Sequence, residues 1–510
     1  MASGPATARI YLLSTVAGAL EPCGCSKNQL GGFDRFAAYV AKEKPNAKGF
    51  VTVAAGPLLF LDPTPRGAQK DQDDWKAEAI ASSLAKVSFV GWAPGLNDWA
   101  LGDARLGQLR ERSGGELLAA NVSGKTAGAK DYVVRDVGGV KIAFVGASAP
   151  LRLGQGPDGV SSVRPEAKLQ AALAAAKAEG ATVFVALTAM PRGEALRLAE
   201  TAPQLSALIV GKPFDQGEAN DKPATPVLLG KTLVVETANH LQTVGVLDLY
   251  IRPGSKEELL DGAGIARAED RKSLDARIDD LKRRINAGEV NRSATADVDA
   301  AKTELSKLET ERRALENPPP PTSGSFFKFS MVEMKSELGA DAAVHGEMLG
   351  FYKRVNEHNK TSLAGKKPPE ARPGDATYVG VEACAKCHEG AKDVWLKTAH
   401  ASAYKTLEQG FKEYNLDCVS CHVTGYEKPG GSTVTMNETL RNVQCEECHG
   451  PGSKHASSPA TKGLIAKALP PEGCVSGCHH APHVEGFDPK LRMRDILGPG
   501  HGDVTKWPKP

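Results

Sequence analysis

The sequence has few aromatic residues, no excess of charge of either sign and no long apolar run. Phe, Trp and Tyr make up 5% of its 510 residues, which leaves few rings on which nucleic-acid bases could stack. Lys and Arg number 63 against 61 Asp and Glu, so no basic field would attract nucleic acid. No stretch of 18 apolar residues occurs, as a membrane-spanning helix would require. We therefore predict no nucleic-acid partner and no membrane span.

Cysteine and histidine are nearly absent from the first two thirds of the chain. The ten cysteines comprise Cys23, Cys25 and eight that lie between Cys384 and Cys478, and only His240 among the twelve histidines precedes residue 345. The length suggests two to four domains. We therefore expect a redox or metal-binding module in the last third, and a front part built without such ligands.

Short apolar runs alternate with Ala- and Leu-rich helical periods over residues 8–265. Runs such as VTVAA, IAFVG and TVFVAL lack in–out alternation, which is typical of strands covered on both faces. The pattern predicts an α/β domain with a largely buried sheet and with helices such as Ala167–Glu179 and Glu194–Glu200. The predicted strands are Ile10–Leu13, Gly49–Ala54, Val87–Val90, Lys141–Gly146, Thr182–Leu187, Ala207–Val210, Thr232–Glu236 and Val244–Tyr250.

Residues 268–317 carry apolar residues at steps of three and four, interrupted by AGEVNRSA. This spacing predicts an antiparallel helical hairpin that serves as a packing or spacer arm, with a dimerising coiled coil as the alternative. Residues 318–376 then read as a return strand (SFFKFSMVEM), a helix (DAAVHGEMLGFYKRVNEHNK) and a Pro-rich linker.

Four times after residue 380 a pair of cysteines is followed at once by histidine. At this spacing two thiols reach the vinyl groups of one porphyrin edge, and the adjacent histidine lies under the iron as its proximal ligand. The fourth motif has one extra residue between its cysteines, although a wider loop can still carry haem. We predict four haem c groups. The motifs are Cys384-Ala-Lys-Cys387-His388, Cys418-Val-Ser-Cys421-His422, Cys445-Glu-Glu-Cys448-His449 and Cys474-Val-Ser-Gly-Cys478-His479.

Structural zinc and paired disulfides are the alternatives for these cysteines. Neither requires a histidine directly after every cysteine pair, whereas here the histidine recurs in all four motifs. Other histidines are candidate distal ligands: His400, His455 and His501, and also His345 if its helix reaches the haem region. Irons with two histidines are low-spin electron carriers, and an iron that lacks the second histidine is a candidate catalytic centre.

Residues 377–505 contain the phrases YVGVEACAKCH, VWLKTAHASAYKTL, LDCVSCHVTGY, NVQCEECHGPGSKH and GFDPKLRMRDILGPGHG. In combination they resemble the multihaem cytochrome c family that includes the tetrahaem electron acceptor of hydroxylamine oxidoreductase. The resemblance implies a mostly α-helical tetrahaem domain over residues 377–510, electron transfer, and a periplasmic or extracellular location. An export signal would then have to precede Met1. The sequence VWLKTAHASAYKTL also reads as one amphipathic helix.

The front domain, with LEPCGCSKNQLGGFDRFAAYV after its first strand, is more distantly similar to the calcineurin-like metallophosphoesterase and 5′-nucleotidase fold. That superfamily holds two metal ions at strand ends through D-x-H, G-D and G-N-H-[DE] motifs and later histidines. The corresponding stretches here begin at Ser14, Ala55, Gly95, Leu187 and Gly211 and lack most of these ligands. We therefore predict a phosphoesterase scaffold without its hydrolytic metals.

The sequence leaves three states open for Cys23 and Cys25: a strained disulfide, a site for a soft metal such as copper, or thiols. For the whole chain we predict an exported multihaem electron carrier whose partners are redox proteins of the cell envelope. The front domain would bind a ligand or dock a partner. The alternatives are an oxidoreductase of a small inorganic substrate at a five-coordinate haem, and a 5′-nucleotidase-like phosphoesterase.

Overall fold

The computed structural model describes residues 4–22, 28–64, 66–149, 156–213, 219–254, 258–290, 295–316, 319–466, 470–480, 483–484, 486–498 and 504–507. The predictions made for Cys23, Cys25 and His501 lie outside these residues.

Most of the strands in the described residues form two sheets. The first sheet has the order β14-β15-β13-β1-β2-β3-β4, the second has the order β11-β12-β10-β9-β7-β6, and β5 pairs with β8. The strands are β1 (Ala8–Ser14), β2 (Phe50–Ala55), β3 (Phe89–Ala93), β4 (Glu116–Leu117), β5 (Val122–Gly124), β6 (Tyr132–Val137), β7 (Val140–Ser148), β8 (Val160–Ser162), β9 (Val183–Ala189), β10 (Ala207–Gly211), β11 (Ala224–Leu229), β12 (Thr232–Glu236), β13 (Thr243–Tyr250), β14 (Leu259–Asp261) and β15 (Ser325–Glu333).

The helices fall into two groups, because those up to residue 362 are mostly long and those after residue 380 have five to eight residues. They are α1 (Phe33–Glu43), α2 (Lys70–Leu84), α3 (Asp103–Ser113), α4 (Pro165–Ala178), α5 (Arg192–Thr201), α6 (Ala268–Val290), α7 (Thr295–Glu316), α8 (Ala342–Ser362), α9 (Val381–Ala385), α10 (Glu389–Trp395), α11 (Ala403–Gln409), α12 (Cys445–His449), α13 (Ser453–Ser457), α14 (Glu472–Gly477) and α15 (Pro489–Ile496). None of the described helices is both long enough and apolar enough to cross a bilayer.

The two sheets face each other across an apolar core. Ile10 and Leu12 on β1 point into this core, which also contains Ile142 of β7 and Val185 of β9. Tyr11 points to the opposite face of its sheet, where α1, α2 and α8 cover it. Every residue of β1 is buried, which confirms the strand and its coverage on both faces.

Strand β15 and helix α8 complete this front unit although they follow the helical hairpin. β15 pairs antiparallel with β13 from Thr243↔Glu333 to Tyr250↔Phe326. Helix α8 begins where Asp341 accepts hydrogen bonds from the N–H groups of residues 343 and 344. Residues 8–265 together with β15 and α8 are called the α/β sandwich below.

Helices α6 and α7 form the pair that the spacing predicted. Leu274, Ile278, Leu281 and Ile285 of α6 pack around Leu308 of α7. The helices run antiparallel, because Asp275 near the start of α6 forms an ion pair with Arg312 near the end of α7.

The C-terminal part has a small apolar core for its length. Its buried cluster consists of Tyr404, Leu407, Val419, Val423 and Val434. The rest of its order comes from short helices, turns and hydrogen-bonded loops, and this arrangement decides where the cysteines and histidines lie.

Candidate haem-attachment sites

Each cysteine–histidine motif is wound into a single turn. In the first motif the N–H of His388 donates to the carbonyl of Cys384 at 3.0 Å. In the fourth, the N–H of His479 donates to the carbonyl of Cys474 at 2.9 Å. The turn of the fourth motif is therefore wider by one residue, and the same hydrogen bond still joins its first cysteine to its histidine.

The histidine of the first motif faces His455. The ring centroids of His388 and His455 are 6.3 Å apart, with 32° between the ring planes. A metal–imidazole bond is about 2 Å long, so two imidazoles on opposite faces of one iron have centroids roughly 6 Å apart. His455 lies on α13 and reaches His388 from the segment that follows the third motif.

The histidine of the fourth motif faces His400. The ring centroids of His400 and His479 are 6.1 Å apart, which is the same spacing as in the first pair. Burial and the neighbouring His479 both lower the pKa of His400. The ring of His400 therefore favours its neutral form, which is the form that binds metal. Phe487 stacks on His479 at 4.1 Å.

The other two motif histidines are held through Nδ1. Nδ1 of His422 lies 2.6 Å from the carbonyl oxygen of Ala403, and Nδ1 of His449 lies 3.0 Å from that of Ala466. A carbonyl at Nδ1 fixes the tautomer and leaves Nε2 as the metal ligand. Within the described ranges, no second histidine ring faces His422.

Cysteines of different motifs lie side by side. The Cys384 thiol is hydrogen-bonded to that of Cys445, which raises the pKa of Cys384 and lowers that of Cys445 to about 7. In the same way, the hydrogen bond between Cys421 and Cys478 lowers the pKa of Cys421 to about 6. The two thiols of each pair therefore titrate together and not independently. The first motif thus adjoins the third, and the second adjoins the fourth.

All eight of these cysteines are free thiols in the structure, and Cys387 is exposed. Among the described residues, no three His, Cys, Asp or Glu side chains converge as ligands of one metal ion. The four-thiolate clusters of the zinc alternative thus have no counterpart in the described part of the chain.

Two expectations about individual histidines need correction. His345 lies on α8 with Nδ1 3.3 Å from Oδ2 of Asp34, and within the described residues no motif histidine ring faces it, so the structure does not support His345 as a distal ligand. The single amphipathic helix over VWLKTAHASAYKTL is wrong. His400 lies in a 3-10 turn, Ala399–Ser402, between α10 and α11, because Thr398 is extended (φ −90°, ψ 159°) and interrupts the helix.

Two polar residues of the third motif region, Gln444 and Glu446, were missed by sequence reasoning. Both carboxylate oxygens of Glu446 accept backbone N–H bonds, and Oε1 of Gln444 accepts the N–H of Val381 at 2.6 Å. The signal available in the sequence was a Glu-Glu pair inside the motif. In the structure the carboxylate of Glu446 is buried, whereas that of Glu447 pairs with Lys428.

The second motif is fixed directly to the sandwich by residues 411–417, which we call the docking segment. Asp417, one residue before Cys418, accepts hydrogen bonds from Arg66 at 3.0 Å and Lys76 at 2.9 Å. Burial alone would raise the pKa of Asp417, but the charges and hydrogen bonds of Lys76 and Arg66 hold it well below its usual range.

Further contacts hold the start and the middle of this docking segment. Tyr414 N–H donates to Asn356 Oδ1 at 3.2 Å, and Asn359 Nδ2 donates to the Tyr414 carbonyl at 2.8 Å. Lys412 pairs with Glu21, which also accepts the hydroxyl of Tyr352 at 2.6 Å. Glu21 directly precedes Pro22 at the edge of the segment that contains Cys23 and Cys25.

The strand ends where the phosphoesterase resemblance would place metals are packed against each other. A Cβ added to Gly211 would lie 2.0 Å from the carbonyl carbon of Ala55, and one added to Gly56 would lie 2.8 Å from Cα of Gly211. Ser14 and Thr237 exchange hydrogen bonds between backbone N–H and hydroxyl oxygen at 3.0 and 3.1 Å. Backbone and hydroxyl groups thus fill this edge.

The acidic and imidazole groups at this edge are engaged within the protein. Asp98 accepts the N–H groups of Leu58, Leu59 and Gly95 and the indole N–H of Trp92. Burial, which these donors only partly offset, raises the pKa of Asp98 to about 6. His240 lies 2.6 Å from Asn220 Oδ1, and burial lowers its pKa to about 4.

Comparison with known proteins separates the two parts of the chain. Residues 383–450 match the family model of cytochrome c554 and c-prime. Cytochrome c-554 of Nitrosomonas europaea is 35% identical over 94 residues, which is 15% of this chain and 40% of that protein. The chain thus spans less than half the length of this relative. The match supports a multihaem cytochrome with covalently attached haem c in the C-terminal part.

Solved structures resemble the front part. The 5′-nucleotidase precursor of Thermus thermophilus has a TM-score of 0.46 at 18% identity, covering 79% of this chain and 67% of that one. Calcineurin-like phosphoesterase YfkN of Bacillus subtilis has a TM-score of 0.38 at 19% identity, covering 48% and 86%. The strands and helices of the front part make it a mixed α/β domain, and at these scores the likeness carries no argument about fold family or activity.

Proposed function

We propose that this chain carries electrons through haem c groups attached at its four cysteine–histidine motifs, and passes them between redox partner proteins of the cell envelope. The observation that carries the proposal is the geometry of two histidine pairs. His388 with His455, and His400 with His479, have ring centroids 6.3 and 6.1 Å apart, a separation suited to one iron between each pair.

The protein's own groups fit this cofactor. The cysteines of each motif would hold the porphyrin edge by thioether bonds, and the adjacent histidine would bind the iron. When bound, haem supplies a one-electron Fe(III)/Fe(II) couple. The carbonyls of Ala403 and Ala466 orient His422 and His449. The contacts of Cys384 with Cys445 and of Cys421 with Cys478 bring the attachment edges together in two pairs.

The haem count is tested by intact mass after production in an exporting host that carries the haem-attachment machinery. We expect four haems per chain, because the wider turn of the fourth motif keeps the hydrogen bond between Cys474 and His479. The double variant Cys474→Ala, Cys478→Ala should lose one haem and retain three. A colourless wild-type protein would overturn the proposal.

A second function is favoured by His422. Two of the other motif histidines face a second histidine, whereas within the described ranges no second histidine ring faces His422. We infer that an iron held by His422 would keep an open position, and that the haem there would reduce or oxidise a small inorganic molecule. The reduced protein should then bind one equivalent of carbon monoxide. A wild-type protein that binds none would exclude this function and leave electron transfer intact.

We infer further that the sandwich docks the haem domain and does not hydrolyse phosphate esters. The close contact between Gly56 and Gly211 and the four N–H donors on Asp98 support this, because they occupy the edge where metal ligands would converge. Assays with a phosphate monoester in Mn²⁺ or Zn²⁺ should give no activity above a metal-free control. Metal-dependent turnover would contradict the inference.

A further inference from the structure

Glu446, inside the third motif, is a deeply buried carboxylate. Its side chain is 1% exposed. One oxygen accepts the N–H of Gly452 at 2.7 Å, the other accepts that of Gly380 at 2.7 Å, and the N–H of Val379 lies 3.0 Å from both. No lysine or arginine in the described part of the chain pairs with this carboxylate.

These donors belong to the segments that carry the two histidines of the first iron. Val379 and Gly380 directly precede α9, which begins the first motif and leads to His388. Gly452 directly precedes α13, which carries His455. A single side chain of the third motif therefore joins the two segments that bring His388 and His455 to 6.3 Å.

The surrounding contacts reinforce the same junction. Thr377 N–H donates to Ser453 Oγ at 2.8 Å, and Ser453 N–H donates to the carbonyl of Thr377 at 3.0 Å. A Cβ on Gly452 would lie 3.2 Å from Oε1 of Glu446, so the carboxylate fits closely against that backbone. A buried acceptor of this kind cannot be exchanged without leaving backbone donors unpaired.

We propose that Glu446 is a positioning residue that holds His388 and His455 on the same iron, so that the third motif controls the axial ligation of the first. This rests on the proposed function, since it presumes haem at both motifs. The Glu446 carboxylate would also favour ferric over ferrous iron in a haem bound at this junction, which would lower the reduction potential of that haem.

The test compares Glu446→Gln with Glu447→Gln, which removes the same charge from the next residue. Glu447 is partly exposed and pairs with Lys428, so it serves as a matched control. In Glu446→Gln the amide nitrogen faces backbone N–H groups, and the segment carrying His388 or His455 is released. We expect the same haem count as wild type by intact mass, up to one additional equivalent of carbon monoxide bound, and an upward shift in one or two midpoint potentials.

Glu447→Gln should match wild type in carbon monoxide stoichiometry and low-spin spectrum. If Glu446→Gln also matches wild type, or if Glu447→Gln changes as much, the proposal is wrong. If Glu446→Gln does not mature, Gly452→Ala is the deciding variant, because its added methyl group would press on Oε1 of Glu446. Unchanged haem ligation in Gly452→Ala would then overturn the proposal. A wild-type protein without haem would overturn the proposed function itself.

Discussion

At the scale of single residues, a histidine serves as an iron ligand only if its ring is oriented towards the site and its free nitrogen is unprotonated. His400 and His455 meet the first condition through their ring pairs, and burial favours neutral His400. His345 does not, because within the described residues no motif histidine ring faces it. The sequence offered all three as candidates, since no spacing rule tells a distal ligand from a histidine that lies elsewhere in the fold.

The first prediction concerns these histidines. His400→Ala should convert one low-spin iron to a five-coordinate one, because the partner of His479 is removed. The change is measured as a high-spin absorption band and one additional carbon monoxide equivalent in the reduced protein. His345→Ala is the matched control and should leave both signals unchanged. A high-spin band in His345→Ala would restore it as a ligand.

Asp98 gives a second prediction at this scale. In Asp98→Asn the amide nitrogen faces two of the four N–H donors, which are left buried without an acceptor. Unpaired buried donors cost about 1–3 kcal/mol, so the free energy of unfolding of the sandwich should fall by that amount. Urea denaturation measures the change. Asp131→Asn changes an exposed residue, so its unfolding free energy should stay close to that of wild type. Equal losses of unfolding free energy in both variants would contradict the argument.

At the scale of elements, the sequence predicted the fully buried strands well. Thr232–Glu236 is β12 without change, and Val183–Ala189 differs by a residue or two from its predicted run. β6 and β11 were missed, because Tyr132–Val137 contains the exposed charged residues Arg135 and Asp136, and Ala224–Leu229 contains a proline. Strands at sheet edges lack the continuous apolar signal that burial on both faces produces.

The helical hairpin leads to a third prediction. Its buried residues contact one another, and β14 and β15, which flank it in the chain, are neighbours in the sheet. Replacing residues 268–317 with a flexible Gly-Ser linker should therefore change the unfolding free energy of the sandwich by less than about 1 kcal/mol. Thermal denaturation and haem content measure the effect. Loss of haem or of the cooperative transition would show that the hairpin supports the rest of the molecule.

At the scale of the whole molecule, the contact between the two parts joins residues that no local pattern connects. Asp417 and Arg66 are 351 positions apart, and the sequence marks neither as an interface residue. The sequence therefore predicted two kinds of domain but gave no indication of how the docking segment fastens the second motif to α2 and α8. Such contacts depend on the final packing of both domains.

A fourth prediction tests this contact. Asp417→Asn leaves Arg66 and Lys76 without their carboxylate partner in a site where the side chains are 17–25% exposed. Breaking a fully buried pair costs several kcal/mol, and with this exposure we expect about 1–3 kcal/mol. The haem domain should be released at lower urea concentration, as measured by proteolysis of the 363–376 linker. Asp393→Asn, exposed on α10, should resemble wild type.

The same carboxylate gives a fifth prediction, for pH. The pKa of Asp417 is depressed in the folded protein, so its contribution to stability is present above the unfolded pKa of about 4 and is lost as pH falls below it. The contact between the haem domain and the sandwich should weaken on acidification below pH 4. In Asp417→Asn the part of this acid-induced weakening that comes from Asp417 should be absent. Identical acid profiles for the two proteins would contradict the assignment.

The Gly56–Gly211 contact has a consequence for any attempt to build a metal site at this edge. With the two backbones touching, even an alanine at position 211 would collide with Ala55. An aspartate or histidine at position 211 would require the two sheets to separate first. Building a metal site at these strand ends would therefore need several simultaneous substitutions.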